Sequence, residues 1–103
     1  MVGLEDDDMR LMLKFTIPVE KGNAAEKDGS LGAAIDALIE RVEPEAAYFT
    51  LEQGKRAGIV IFDESDPAML AKINEPLFAK LDAAIDIVPV VSLDELRRGL
   101  GRD

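Results

Sequence analysis

Residues 9 to 19 read MRLMLKFTIPV, a stretch in which larger apolar side chains stand at every second position. Period two is typical of a β-strand with one buried face. The larger apolar side chains share one face: Met9, Leu11, Leu13, Phe15, Ile17 and Val19. The other face carries Arg10, Met12, Lys14, Thr16 and Pro18. The pattern predicts a first strand over residues 9 to 19 that packs on a core by its more apolar face.

A loop and a helix are predicted next. Residues 20 to 30 read EKGNAAEKDGS, a polar stretch with two glycines that indicates a loop. Residues 31 to 43 carry apolar side chains at helical spacing, with Asp28 or Ser30 available to cap the helix start. Pro44 ends this helix, because proline disfavours a helical conformation of the residue before it.

A hairpin is predicted in the middle of the chain. Residues 47 to 52 and 57 to 63 have strand character, and the four residues between them form a connection of hairpin length. Ile59–Phe62 is apolar on both faces, which predicts that this third strand is central in its sheet.

A second helix follows the hairpin. Asp66 can cap its start, and Pro67 suits the first helical position. Pro76 interrupts the helical pattern, and we expect a kink or break near Asn74 or Glu75 because proline costs a helix interior about 3 kcal/mol.

The chain is predicted to close with a strand and a short helix. The strand covers residues 84 to 91. Ser92 and Glu95 match a capping box, which predicts a last helix over residues 93 to 98 that ends at Gly99 or Gly101.

The order β-α-β-β-α-β predicts an α+β, ferredoxin-like domain over residues 9 to 103, with a four-stranded antiparallel sheet and its helices on one face. Right-handed crossovers place the first and third strands in the centre. Pro89 lies in the fourth strand, and an edge strand tolerates proline.

The sheet face without helices is predicted to be partly apolar. The third strand is apolar on both faces, and Met12, Val88 and Val90 add to the uncovered face. Monomeric proteins rarely expose a contiguous apolar patch of this kind. We therefore expect a homodimer in which two such sheets meet face to face.

The composition excludes several chemistries. The 103 residues contain no cysteine and no histidine, so disulfides, structural zinc sites and Ser-His-Asp or Cys-His mechanisms are excluded. The net charge is −9 and the basic residues are scattered, which argues against nucleic acid or an anionic membrane as a partner. We expect no cofactor and no metal.

The acidic start of the chain is predicted to be a disordered tail. Residues 1 to 8 contain Glu5, Asp6, Asp7 and Asp8 without a nearby base, and we expect them to be dispensable for folding. No basic-then-apolar leader and no apolar run long enough to span a membrane is visible, so we expect a cytoplasmic protein.

Several segments resemble the DUF3303-type proteins, a largely uncharacterised bacterial family of the dimeric α+β barrel superfamily. The segments are Thr16–Asn23, Pro44–Phe49, Gly54–Arg56, Glu75–Phe78 and Pro89–Val91. The superfamily includes small monooxygenases, muconolactone isomerase, haem-handling proteins and stress-response proteins, so the resemblance implies a dimeric barrel and no particular reaction. Enzymes of the superfamily often use histidine, which this chain lacks.

A candidate ligand site lies on the predicted uncovered face. Lys14, Tyr48 and Asp86 are expected to approach one another there and to orient a small organic molecule, an anionic one being an option. Further candidates are Arg10, Met12 and Thr50. Lys14 is open to roles as an acid, a base or an electrostatic clamp. The alternative is that Lys14 and Asp86 pair with each other at an interface and that Tyr48 only packs.

Other motifs favour structural roles. Glu75 beside Pro76 fits a helix start better than a functional break, and residues 63 to 66 lack the ligand spacing of a calcium loop. Residues 54 to 56 lack the spacing of a phosphate loop.

Two functions therefore remain open from the sequence. The protein is a small-molecule binding protein or cofactor-free enzyme that uses the cavity between two sheets. Alternatively, it is a structural or interaction module whose barrel is filled by side chains and holds no ligand. No reaction can be assigned from these residues.

Overall fold

The computed structural model describes residues 9 to 101, and the tail predicted for residues 1 to 8 lies outside the described residues. The strands are β1 (Met9–Ile17), β2 (Ala46–Glu52), β3 (Lys55–Glu64) and β4 (Ala84–Pro89). The helices are α1 (Val19–Asp28), α2 (Ser30–Val42), α3 (Met69–Leu81) and α4 (Leu93–Gly99). None of these helices is long and apolar enough to cross a membrane.

The four strands form one antiparallel sheet in the order β2-β3-β1-β4. The predicted α+β, ferredoxin-like fold is confirmed, with β1 and β3 in the centre, and α1, between β1 and α2, is added to the predicted elements. Pro89 ends the edge strand β4, where its missing N–H interrupts no central pairing. The Val90 N–H still donates to the Arg10 carbonyl at 3.0 Å, so the chain follows β1 just past β4.

The core lies between the sheet and helices α1, α2 and α3. Leu11, Leu13, Phe15 and Ile17 of β1 are buried on the face predicted from period two. Their neighbours in the core include Val60, Phe62, Leu38, Ile73, Leu77 and Leu81. Full burial of a side chain of this size stabilises the fold by about 1.5–3 kcal/mol, so this face fixes the register of the sheet.

Residues 20 to 30 do not form the predicted loop. They are mostly α1, which begins directly after Pro18 and buries Gly22 and Ala25. Pro18 has the extended φ and ψ of −56° and 144° that suit a residue just before a helix, and the following residues are mostly good helix formers. Gly29 then takes a left-handed φ of 84°, which ends α1 and lets α2 begin at once.

The cap of α2 also differs from the prediction. Gly29 occupies the N-cap position, and no side chain caps the helix from it. Asp28 instead accepts a hydrogen bond at 2.8 Å from the Ser30 N–H, one position before the cap. The hydrogen bonds from the Ser30 hydroxyl and N–H hold the pKa of Asp28 below its usual value.

Pro76 does not break the second predicted helix. Helix α3 runs without interruption from Met69 to Leu81 with Pro76 inside it. Ile73 and Leu77, on either side of the proline, are both buried in the core. Because the core holds both halves of the helix, tertiary packing outweighs the local cost of the proline. Asp66 does accept a hydrogen bond from the Ala68 N–H at 3.0 Å, in the turn that leads into α3.

The central hairpin has a tighter turn than predicted. Gln53 and Gly54 have φ values of 52° and 79°, the pattern of a two-residue type I′ turn that matches the twist of a hairpin. Lys55 and Arg56, which were assigned to the connection, therefore belong to β3. The Arg56 side chain is thereby fixed on one face of the sheet, opposite Ile17 and Leu51.

Candidate functional site: the open face of the sheet

The face of the sheet opposite helices α1, α2 and α3 is called the open face below. Its central row crosses all four strands, because Tyr48 pairs with Ile59, Ile59 with Lys14, and Lys14 with Asp86. The structure thus brings Lys14 and Asp86 side by side, with Tyr48 in the same row beyond Ile59. Whether these residues bind a ligand stays a prediction.

The rows on either side hold the other candidates of the central region. Met12 is half-buried in a row with Ala46, Ile61 and Val88, and this row is entirely apolar. On the other side, Thr50 is exposed in a row with Thr16, Ala57 and Ala84. The open face therefore combines one apolar row with two rows that carry polar groups.

Lys14 forms an ion pair with Glu52, not with Asp86. The Lys14 Nζ lies 2.6 Å from the Glu52 Oε1, across the central strand β3. The hydrogen bond and charge of Glu52 raise the pKa of Lys14, and the charge of Asp86 adds a smaller contribution in the same direction. A lysine that is held protonated can clamp an anion but cannot serve as a general base near neutral pH.

Glu52 is the partner of Lys14 that the sequence did not predict. It lies two positions after Thr50 and four after Tyr48, so the same period-two count puts it on the open face. Asp86 was the one partner predicted for Lys14 from the strand pattern. The pairing depends on the twist of the sheet and on two long side chains, which the strand pattern alone does not specify.

Arg10 belongs to a different part of the face. It lies four positions before Lys14 on β1, which places it about 13 Å away along the strand. Its guanidinium binds Glu95 of α4, and its Nε lies 3.3 Å from the Glu45 Oε1. The hydrogen bond and charge of Glu95, followed by those of Glu45, raise the pKa of Arg10. Arg10 thus ties α4 and the start of β2 to β1.

The helix α4 is held near Arg10 by Glu95 and carries exposed apolar side chains. Its start is fixed by the predicted capping box, in which Glu95 N–H donates to Ser92 Oγ at 3.1 Å and Ser92 N–H donates to Glu95 Oε1 at 2.6 Å. The hydrogen bond from the Ser92 N–H and then that from Arg10 lower the pKa of Glu95. Leu93, Leu96 and Leu100 of this helix region are exposed.

The remaining acidic motif serves the backbone. The Asp66 N–H donates to the Glu64 Oε2 at 3.1 Å, so these two acids stabilise the turn before α3. Among residues 9 to 101 no group of three acidic side chains is placed to hold a metal ion.

Comparison with known proteins adds no family to this description. No protein-family model matches the chain, and no curated protein matches it. The resemblance to the DUF3303-type proteins therefore stays a prediction.

Proposed function

We propose that the protein is a homodimer whose two open faces enclose a small organic molecule. The observation that carries this proposal is the central row of the open face, in which a protonated Lys14 lies beside Asp86 and shares a row with Tyr48. A mostly apolar surface with a few polar groups is typical of small-molecule sites. No reaction is assigned.

The apolar content of the open face supports a second copy as its cover. Met12, Ile59 and Ile61 are only half-buried within one chain, and Val88 is 43% exposed. A twofold axis would bring the same patch of each chain together, so a patch of one charge would repel itself. This patch carries Lys14 together with Glu52 and Asp86, and charges of both signs allow it to meet its own copy.

Lys14 supports an anionic ligand. An ammonium group has three donors, and the ion pair with Glu52 uses one of them. Enclosure by a second chain would remove water from around Lys14 and strengthen its interaction with an anion. The Tyr48 ring is 65% exposed and offers both a hydroxyl group and an aromatic face to such a ligand.

The alternative function is a structural or interaction module without a ligand. The ion pair between Lys14 and Glu52 favours it, because a lysine that already has a carboxylate partner needs no ligand to neutralise it. In that case the pair and its copy would fill the interface, and no small molecule would be held there.

Native mass spectrometry of the purified protein separates the two functions. We expect the mass of a dimer plus a small molecule, and we expect Lys14→Met and Asp86→Asn to keep the dimer and lose the small molecule. Lys80→Met on α3 and Asp36→Asn on α2 are matched controls on exposed helix positions. A dimer whose mass includes no small molecule would instead support the structural module. A monomer would contradict both functions.

A further inference from the structure

A groove lies mainly on the helix side of the sheet, with Thr50 and Ala57 of the open-face rows also in its lining. The groove has a volume of about 380 Å³ and runs between the start of α2 and the outer strand β2. Its apolar lining consists mainly of Phe15, Ile17, Leu31, Ile35, Phe49 and Leu51. The volume is within the range of about 300–1,000 Å³ that small-molecule sites occupy.

The groove exists because the helices leave the second half of β2 uncovered. Phe49 and Leu51 point to the helix side of the sheet, yet they are 52% and 69% exposed. Phe49 reaches across Gly58 towards Phe15, and the ring centroids lie 6.5 Å apart. Because Gly58 has no side chain, the rings of Phe15 and Phe49 can both lie against its backbone at the floor of the groove.

One cation, Arg56, also lines this groove. Its Nη1 donates to the Asn23 Oδ1 at 3.1 Å. The guanidinium lies over Gly22 of α1, where an added Cβ would be only 2.7 Å from Nη1. Gly22 and Asn23 therefore hold the Arg56 side chain in place. These contacts join the segments Thr16–Asn23 and Gly54–Arg56, two of those that resemble the DUF3303-type proteins.

Arg56 has no acidic partner within the described range of residues 9 to 101, in contrast to Lys14 and Arg10. Asn23 occupies one of its five N–H donors, and a guanidinium presents the others in a planar fork that matches a carboxylate. A fixed guanidinium beside an apolar groove is complementary to a molecule with an apolar body and an anionic end. A second copy of the chain is a poorer occupant, since a twofold contact here would bring two Arg56 side chains together.

We propose that this groove binds a small amphipathic carboxylate, such as a short fatty acid or an aromatic acid. The carboxylate binds Arg56, and the apolar body lies against Phe15, Phe49 and Leu51. This site lies mainly on the side of the sheet opposite the open face and does not depend on the function proposed for that face.

Octanoate and its neutral analogue octanol test the proposal by calorimetry and by NMR shift mapping on the full chain. We expect octanoate to shift the signals of Phe49, Leu51 and Leu31. Arg56→Gln should weaken octanoate binding by about tenfold or more, because it removes hydrogen bonds between charged groups. Binding of octanol should change little in this variant, since octanol has no charge to lose.

Asn23→Asp distinguishes a binding role of Arg56 from a structural one. The change is nearly isosteric and places a carboxylate where the amide now accepts from Arg56. If Arg56 only stabilises the fold, this variant keeps or gains stability and leaves octanoate binding unaltered. If Arg56 binds the carboxylate, the variant stays folded and loses affinity for octanoate.

Leu51→Asp is a surface variant that puts a negative charge into the groove, and Leu93→Asp on α4 is its control at a similarly exposed leucine. We expect the first to abolish octanoate binding and the second to leave it unchanged. Three results would overturn the proposal: no saturable binding, an equal loss of octanoate and octanol in Arg56→Gln, or shifts at Met12 and Tyr48 in place of the groove. The last result would assign the anion to the open face instead.

Discussion

The core of this protein requires a residue without a side chain at Gly58. It lies in β3 between Phe15 of β1 and Phe49 of β2 in the register of the sheet. A Cβ at this position would be 2.6 Å from two atoms of the Phe15 ring and 3.0 Å from the Phe49 ring. Phe15 is buried and cannot move aside without disturbing the core, so the two rings require glycine between them.

Gly58→Ala is therefore expected to lower the free energy of unfolding by about 1–3 kcal/mol, the usual cost of overpacking a core. Gly32→Ala is the matched control, because an added Cβ there meets nothing within 4 Å and Gly32 lies in α2. The control should gain up to about 1 kcal/mol from helix propensity. Urea denaturation of both variants checks the prediction, and an unchanged midpoint for Gly58→Ala would contradict it.

The positions of the strands were predicted better from the sequence than those of the helices. The strands follow from period two and from the apolar run at Ile59–Phe62, which the buried face of the sheet enforces. Helix α1 was missed because most of its residues are polar, because Gly22 lies within it and because Gly29 follows its end. Gly22 is favourable there for a reason that no local pattern reveals, since Arg56 from a strand 34 positions away lies over it. Pro76 was misjudged for the same reason, because burial of its neighbours decides the outcome.

For the candidate site, the sequence predicted which residues share a face but not which side chains form ion pairs. Alternation along single strands was enough to select Lys14, Tyr48 and Asp86 as residues of one face, and the register aligns them in one row. It was not enough to find Glu52 as the partner of Lys14 or to separate Arg10 from the central row. Those features depend on how long side chains reach between elements, which follows from tertiary structure.

The attachment of α4 is expected to depend on pH through Glu95. The pKa of this carboxyl is lowered from its usual 4.5 by the Ser92 N–H and by Arg10. A group whose pKa is lower in the folded state stabilises the fold above its unfolded pKa and loses that contribution as the pH falls through its folded pKa. The signals of α4 should therefore lose helical character on acidification below 4.5, before the sheet unfolds.

Two variants of Glu95 separate the cap from the ion pair. Glu95→Gln keeps a side-chain acceptor for the Ser92 N–H and loses the charge that binds Arg10, whereas Glu95→Ala loses both. NMR or hydrogen exchange at neutral pH should show α4 loosened slightly in the first variant and more in the second. Equal protection of α4 in wild type and Glu95→Ala would show that the cap and the pair do not hold this helix.

The two faces of the sheet differ in their cover: three helices pack on one face, and the other is largely uncovered within one chain. Helices α1, α2 and α3 cover one face and form the core. On the other face, Val88 is exposed and Met12, Ile59 and Ile61 are half-buried. The dimensions of 50 × 29 × 17 Å describe a flat, elongated body. Its open face exposes apolar side chains, and contiguous apolar patches on monomeric proteins are rare. The proposed dimer is the symmetric way to cover this face.

A charge placed in the apolar row of the open face is expected to separate the chains. Met12→Lys and Val88→Lys put ammonium groups into the surface of the proposed dimer contact, where a twofold axis would bury like charges without partners. Phe78→Lys is the control, since Phe78 is 42% exposed on α3, similar to the 43% of Val88. Sedimentation velocity should give a dimer for wild type and Phe78→Lys and a folded monomer for the open-face variants. Dimers in all four proteins would mean that the chains associate through another surface, and the enclosed cavity between open faces would then be ruled out.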